Sequence, residues 1–234
     1  YSMNGRFLEA DRVLAGATDT LHMSRATQAA YYAAQHRQNR ECRSQSEPGA
    51  ERDRFRACEE YYARRALETT GDISKRFYFA YLVAVDEGDY DRAAAACDSA
   101  LACAPPASHD YARAAFYRSE TERFRGDEAA RFEWLVRAAM ADVQGAVRDY
   151  GALGGVAEEL LRRGDAARAM RCIRVAINDT QAYNSPIRSW RDMAILPQIE
   201  QAYSERNARL RAMYVALILL AFLFALSAIG GVLF

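Results

Sequence analysis

The chain has 234 residues, a mean hydropathy of −0.30 and equal numbers of basic and acidic residues, 31 of each. This length is sufficient to bury the hydrophobic core of one ordinary domain. The arginines are interleaved with the acids and form no basic block, which argues against a nucleic-acid-binding surface. We therefore expect no direct contact with nucleic acid from this segment.

Residue types that bind metals or act as nucleophiles are scattered along the chain. The five cysteines form no CxxC pair, and the three histidines stand apart from them and from one another, so we predict no metal site. The sequence also has no phosphate-binding glycine loop and no catalytic Ser/His/Asp or Cys/His set at helix-compatible spacing. We predict neither an enzyme nor a bound cofactor. A catalytic site built from distant residues is the open alternative.

Two helices are predicted near the start, at 24–41 and 51–70, on either side of the loop CRSQSEPGA. The segment YYARRALE in the second of them echoes AACDSALA further along the chain, which indicates a degenerate copy of a repeat. We assign residues 1–46 to N-terminal helices that include the first helix of this copy. Repeats are assigned to residues 47–182.

Four Gly-Asp pairs occur in the chain, and each lies between two amphipathic segments. Glycine ends a helix in the left-handed conformation and aspartate caps the next helix, so each pair predicts a tight helix-to-helix corner. The last three pairs are separated by 38 residues each, a period typical of a helical solenoid. We predict an all-α array of antiparallel helix pairs. An unrelated alanine-rich bundle is the alternative, but it does not require equal spacing. The four pairs begin at Gly71, Gly88, Gly126 and Gly164.

The repeat itself resembles the tetratricopeptide (TPR) repeat. The best copy is FYFAYLVAVDEGDYDRAAAACDSALACAP at 77–105, a second covers 112–142 with Arg131 where a small residue is expected, and a third covers 150–181. We predict that Ala100 and Ala176 lie where paired helices cross closely. In the best copy the matching residues are Phe77, Ala80, Ala84, Gly88, Asp89, Tyr90, Ala93, Ala100, Leu101 and Pro105.

The C-terminal part predicts a stalk followed by a membrane span. Pro186 suits a first helical turn, and Pro197 is expected to kink or restart the helix of the stalk, which we place at 183–212. Residues 213–234 contain no charged residue. At about 1.5 Å per residue, a helix of this length spans roughly 33 Å, the thickness of the hydrocarbon core, so we predict one transmembrane helix. A face with Ala221, Ala225 and Ala228 would allow a homodimer.

The order of the last repeat, the stalk and the span resembles the membrane-bound TPR proteins of Bacteroidetes, a family of regulators. This resemblance implies repeats on the outer, periplasmic side of the bacterial inner membrane and a cytoplasmic regulatory segment after the span. The sequence ends at Phe234, which places such a segment outside it. The residues that carry the resemblance are Asp142, Glu158, Gly164, Asp165, Ala169, Ile173, Asn184, Arg188, Ile195, Leu196, Pro197, Ile199 and Glu200.

The TPR resemblance also implies a concave groove lined by the first helix of each repeat, with a protein or peptide as partner. Aromatic residues flanked by arginine would suit a partner with an acidic group. An ordinary solvated face is the alternative. The groove offsets give Lys75, Tyr78, Leu82 and Val85 from the best copy, Arg113, Phe116, Glu120 and Arg123 from the second, and Glu158, Leu161 and Arg162 from the third.

Three hypotheses for the function follow. The first is a single-pass sensor or adaptor that relays partner binding to a cytoplasmic part and so serves in signalling. The second is a tail-anchored cytosolic docking adaptor, favoured by Arg206, Arg209 and Arg211 before the span under the positive-inside rule. The third is an enzyme. We prefer the first, because the positive-inside rule compares two flanks of a span and only one is visible.

Overall fold

The structure, a computed structural model, describes residues 7–17, 20–146, 151–182 and 186–233. These residues form ten α-helices and a short 3₁₀ turn, Thr20–His22, with no β-strand among them, so the all-α prediction is confirmed. The helices are α1 Phe7–Ala15, α2 Arg25–Gln45, α3 Ala50–Thr69, α4 Ile73–Asp86, α5 Tyr90–Cys103, α6 His109–Arg125, α7 Glu128–Gln144, α8 Gly151–Arg162, α9 Ala166–Ala182 and α10 Pro186–Leu233.

The helices pack as successive pairs. Helix α2 packs against α3, α4 against α5, α6 against α7 and α8 against α9, and the second helix of each pair contacts the first helix of the next. The degenerate unit corresponds to α2 and α3, and the three clearer copies to the other pairs. Helix α10 packs against α9 and α8, so it covers the last pair of the array.

Three of the four Gly-Asp corners have the predicted geometry. Their glycines adopt left-handed φ angles of 73° to 79°, which L side chains rarely adopt. The aspartate after each glycine accepts a hydrogen bond from the backbone N–H three residues further on, so it caps the following helix. Gly71 differs, because α3 ends in the extended residue Thr70 and φ at Gly71 is not positive; there only the capping by Asp72 holds.

The main core lies between α6 and α10 and consists largely of alanine, as close helix crossings require. Ala138, Ala157 and Ala176 have no exposed surface. Two isoleucines, Ile173 of α9 and Ile199 of α10, are also fully buried in this core. The start of α10 is therefore part of the solenoid's hydrophobic core.

We expected Pro197 to kink or restart the helix; helix α10 continues through Pro197, so it does not restart there, and the expected kink stays a prediction. Proline removes one helical N–H, which normally weakens a helix interior. Here Leu196 and Ile199 on either side of the proline pack against the main core and hold the helix in place. Further along, α10 contains a fully exposed 18-residue window with a mean hydropathy of 2.2, which makes Met193–Ser227 a candidate membrane span.

Arg131, which replaces a small residue of the repeat, contacts a buried carboxylate of the next helix pair. Its Nη1 atom donates to Glu128 at 2.8 Å and lies 3.9 Å from Glu159 Oε2 on α8. Glu159 also accepts hydrogen bonds from Arg162 and Arg163 at 2.6 Å. Burial raises the pKa of Glu159, but these arginine hydrogen bonds outweigh it and hold the pKa below its ordinary value. Arg131 thus connects α7 to α8 through an ion pair with Glu159.

Candidate partner-binding groove

Side chains of three consecutive first helices, α2, α4 and α6, meet around Tyr78. The ring of Tyr78 lies 5.3 Å from that of Tyr117 on α6 and 6.1 Å from that of His36 on α2, measured between centroids. Tyr117 in turn lies 4.7 Å from Tyr81. We call Arg40, Tyr78, Arg113 and Tyr117 the groove cluster. Its members come from helices that are far apart in sequence and adjacent in the array.

Arg40 of α2 is one of the two charged residues of the groove cluster. Its Nη1 atom donates to the Tyr78 hydroxyl at 3.2 Å. Among the described residues no carboxylate forms an ion pair with Arg40; the nearby Glu59, whose charge acts on Arg40, is bound by Arg43 at 2.6 Å. Desolvation lowers the pKa of Arg40, but its interactions with Tyr117, Tyr78 and Glu59 outweigh this effect and raise the pKa. Arg40 therefore stays protonated.

Two aromatic neighbours of Arg40, Tyr78 and His36, are neutral at pH 7. Burial raises the pKa of Tyr78, so its hydroxyl keeps its proton. Burial together with the charge of Arg40 lowers the pKa of His36 to about 3, so the imidazole carries no charge. The positive charge of Arg40 thus lies among neutral aromatic groups.

Arg113 lies on the other side of Tyr78. Its guanidinium carbon is 5.6 Å from the centroid of the Tyr78 ring, a cation–π distance. Its Nη2 atom donates to Ser74 Oγ and to Asp110 Oδ1, both at 2.7 Å. These contacts hold Arg113 in one orientation across α4 and α6.

A cavity of about 110 Å³ adjoins the groove cluster between α4, α5 and α6. Tyr78, Tyr117, Arg113 and Asp110 are among the residues that line it. The space exists because the facing positions of α5 and α6 carry small side chains. These are Ala96, Cys97, Ala100 and Ala114.

The structure brings together two of the predicted groove residues, Tyr78 and Arg113. Leu82 packs between the two smaller hydrophobic clusters, and Phe116 packs against the main core, so both have structural contacts. Val85 is likewise partly buried beside α5.

The other predicted residues form local contacts outside the groove cluster. Lys75 lies in the first turn of α4 with its Nζ 3.4 Å from Asp72 Oδ2. Glu120 and Arg123 bind each other, with 2.8 Å between Oε2 and Nη2. In the last repeat Glu158 is exposed, Leu161 packs at the edge of the main core, and Arg162 binds Glu159.

Sequence reasoning missed Arg40 and Tyr117. Arg40 belongs to the degenerate first unit, where the repeat offsets were too weak to assign groove positions. Tyr117 is one residue after the predicted Phe116, so a rotation of one helical position separates the two. The signal that could have identified Tyr117 was the frequency of tyrosine in the first helices of the repeats. The groove residues were instead assigned from their positions within the repeat, which takes no account of residue type.

The paired helices, the corner geometry and the groove define a TPR domain, a class of protein-interaction module. The family model of the SusR N-terminal TPR domain matches residues 1–193, and the chain belongs to this family. The resemblance to TPR-containing regulators of Bacteroidetes is thereby confirmed. No curated protein and no solved structure matches the chain.

Proposed function

We propose that this chain is a membrane-anchored TPR sensor or adaptor that binds a protein or peptide partner in the groove of α2, α4 and α6. The observation that carries the proposal is the convergence of Arg40, Tyr78, Arg113 and Tyr117 from three successive repeats. Interface hot spots are rich in tyrosine and arginine, and TPR arrays present extended concave surfaces.

The relay of binding across the membrane is proposed from α10. Ile199 of α10 is buried in the main core, and the same unbroken helix carries the apolar stretch. A partner that changes the curvature of the array would shift α9, which packs along α10. The movement would then reach the span through a single rigid element.

The binding experiment uses the detergent-solubilised chain and two double variants. Tyr78→Phe with Arg113→Gln removes a hydroxyl and a charge from the groove. Tyr61→Phe with Arg174→Gln makes the same chemical changes at exposed positions of α3 and α9. We expect the groove variant to bind the partner at least tenfold more weakly than the unaltered chain, because hot-spot residues dominate interfaces. The control variant should bind the partner as well as the unaltered chain does.

Circular dichroism verifies that both double variants are folded. Equal partner binding by the two folded variants would contradict the groove assignment and place the binding surface elsewhere on the array.

The side of the membrane is tested through Cys103, an exposed free thiol. The family resemblance supports a periplasmic domain, which a membrane-impermeant sulfonated maleimide would label in intact cells. The second candidate, a cytosolic docking adaptor, is favoured by Arg206, Arg209 and Arg211 before the span. Labelling of Cys103 only after the inner membrane is permeabilised would support that alternative, with Cys103→Ser as the control.

A further inference from the structure

We propose that the last Gly-Asp corner of the array, together with the part of α10 that precedes the span, docks on anionic phospholipid headgroups of the membrane that the span crosses. The inference rests on the membrane anchor of the proposed function and adds a second binding surface, which lies apart from the groove cluster. We call this surface the arginine collar, and it consists of Arg162, Arg163, Arg168, Arg206, Arg209 and Arg211.

The corners that follow α4, α6 and α8 lie along one edge of the array, which we call the corner edge. Ion pairs connect each of these corners to the next. Arg125, at the end of α6, binds Asp91 of the corner after α4. Arg162, at the end of α8, has its Nη2 atom 3.9 Å from Glu128 Oε2 of the corner after α6. The three corners therefore face the same side of the domain.

Helix α10 leaves the array at the corner edge. Ile199 is buried in the main core, and Tyr203, one turn later, packs at the edge of this core. The backbone N–H and the side chain of Arg168 lower the pKa of Asp165 in the last corner, and the charge of Arg206 on α10 adds to this effect. Helix α10 thus passes the last corner near Arg206, and the span begins beyond this edge.

The exposure of side chains along α10 shows how close the last corner lies to the span. Asn207 and Leu210 are half-buried, whereas every described side chain from Arg211 to Ser227 is exposed. The array therefore ends near Leu210, three residues or about 4.5 Å before Met213. The headgroup layer on each side of the hydrocarbon core is about 5 to 7 Å thick. The last corner consequently lies at the level of the headgroups.

The arginine collar has more positive charge than its carboxylates neutralise. Its six arginines form ion pairs with three carboxylates, since a fourth, Glu128, is already bound by Arg131 at 2.8 Å. Among the described residues, no ion pair involves Arg206 or Arg211. The three pairings are Glu159 with Arg162 and Arg163, Asp165 with Arg168, and Glu205 with Arg209.

The charge of the corner edge changes from acidic to basic towards the span. The corner after α4 has four acidic residues and one arginine between positions 86 and 92. An anionic surface would therefore attract the collar and repel this more distant corner, so the array would rest on its last helix pair. Guanidinium groups also bind phosphate through two parallel hydrogen bonds, which suits the phosphodiester of a lipid headgroup.

The experiment measures the depth of the last corner in the full chain, reconstituted into lipid nanodiscs. A dye is attached to Ala167→Cys in the first turn of α9 or, in a second protein, to the native Cys103, with all other cysteines replaced by serine. Lipids with a nitroxide on the headgroup quench a dye that lies close to them. Cys103 is the control for depth, because α5 has 14 residues and places it about 20 Å from the corner edge.

We expect the dye at Ala167→Cys to be quenched at least threefold more strongly in discs that contain phosphatidylglycerol than in discs of phosphatidylcholine alone. The dye on Cys103 should be quenched weakly in both. Sodium chloride should reduce the difference at Ala167→Cys, because salt screens charges that are exposed to solvent.

Two triple variants test the charge, and each removes three positive charges. The collar variant should lose the effect of phosphatidylglycerol, whereas the control variant, with changes at exposed positions of α3 and α4, should keep it. Circular dichroism verifies that both are folded, and the salt series on the unaltered chain tests the same charges without substitution. The collar variant is Arg168→Gln, Arg206→Gln and Arg211→Gln, and the control is Arg54→Gln, Arg64→Gln and Arg76→Gln.

Equal quenching of the dye at Ala167→Cys in the two kinds of disc would overturn the proposal. Loss of quenching in sodium phosphate, but not in sodium chloride of equal ionic strength, would assign the collar to free phosphate and overturn the lipid as its occupant. A chain that does not enter the discs would disprove the membrane anchor of the proposed function, and this inference with it. A chain that enters them without any effect of phosphatidylglycerol would disprove this inference alone.

Discussion

Glu159 is a buried carboxylate of α8 that forms ion pairs with two arginines at the end of its own helix and with Arg131 of α7. Its side chain is 4 % exposed, while Arg162 and Arg163, which bind it, are 61 % and 44 % exposed. Removing one partner of a buried ion pair costs 3–5 kcal/mol, and solvent screening at the exposed arginines reduces this. We therefore expect Glu159→Gln to lower the free energy of unfolding by about 2 kcal/mol at pH 7.

The pH dependence follows from the lowered pKa of Glu159. A carboxyl whose pKa is lower in the folded state stabilises fully above its ordinary value of 4.5, and this stabilisation is lost as the pH falls through the folded-state pKa. Denaturation of wild type and Glu159→Gln at pH 7 and at low pH measures the effect. The exposed neighbour serves as the control, since Glu158→Gln should change stability by less than about 0.5 kcal/mol. A pH-independent difference would contradict the assignment.

Whereas the pKa of Glu159 is lowered, Asp86 at the end of α4 has a raised pKa. Burial and the charges of Glu60 and Glu59 raise its pKa to about 6, so its ionised form destabilises the folded state at pH 7. We expect Asp86→Asn to raise stability at pH 7 by about 1 kcal/mol after discounting for solvent exposure. The gain should diminish as the pH falls through 6 and vanish near pH 4, where Asp86 is protonated when folded. Melting temperatures at pH 7 and pH 4 measure it, and an equal gain at both would count against it.

At the scale of the helix pair, two alanines with the same repeat offset have different surroundings. Ala100 and Ala176 each follow their corner glycine by twelve residues, and the sequence predicts the same cost of enlarging either one. Ala176 is fully buried in the main core, whereas Ala100 borders the cavity. We expect Ala176→Leu to lower the free energy of unfolding by about 1 to 3 kcal/mol through overpacking. Ala100→Leu should cost less, because its side chain has space to enter.

Denaturation of the two variants side by side measures this difference. Equal losses of stability in the two variants would contradict this expectation. They would show that the side chain added by Ala100→Leu displaces its neighbours instead of filling the cavity.

The continuity of α10 predicts a distance. Met193 and Met213 are both exposed and are separated by twenty residues of helix. At 1.5 Å per residue their backbones should lie about 30 Å apart. Spin labels on cysteines at these two positions, in an otherwise cysteine-free chain in detergent, should give a narrow distance distribution near that value. A broad or clearly shorter distribution would show a hinge at Pro197.

Across the whole molecule, the features predicted from sequence were those that depend on local signals. Three of the four Gly-Asp corners are set by the φ preference of one glycine and the capping of one aspartate, and at Gly71 only the aspartate cap holds, so helix pairs followed from local signals and their spacing. The domain boundaries at 46, 182 and 212 stay predictions. The groove cluster depends instead on which helices become neighbours. Arg40 and Tyr78 are 38 residues apart, and only the packing of α2 beside α4 brings them within hydrogen-bonding distance.

The single helix from the main core to the apolar stretch also gives the number of residues between them a geometric meaning. Each residue of an α-helix adds 1.5 Å of rise and about 100° of rotation. Inserting one residue between Tyr203, which packs at the core's edge, and Met213 would swing Arg40 and Tyr78 by about 100° around the axis of α10. Inserting seven would return them to within about 20° of the original azimuth. The direction in which the groove faces other proteins in the same membrane therefore depends on the number of residues between Tyr203 and Met213.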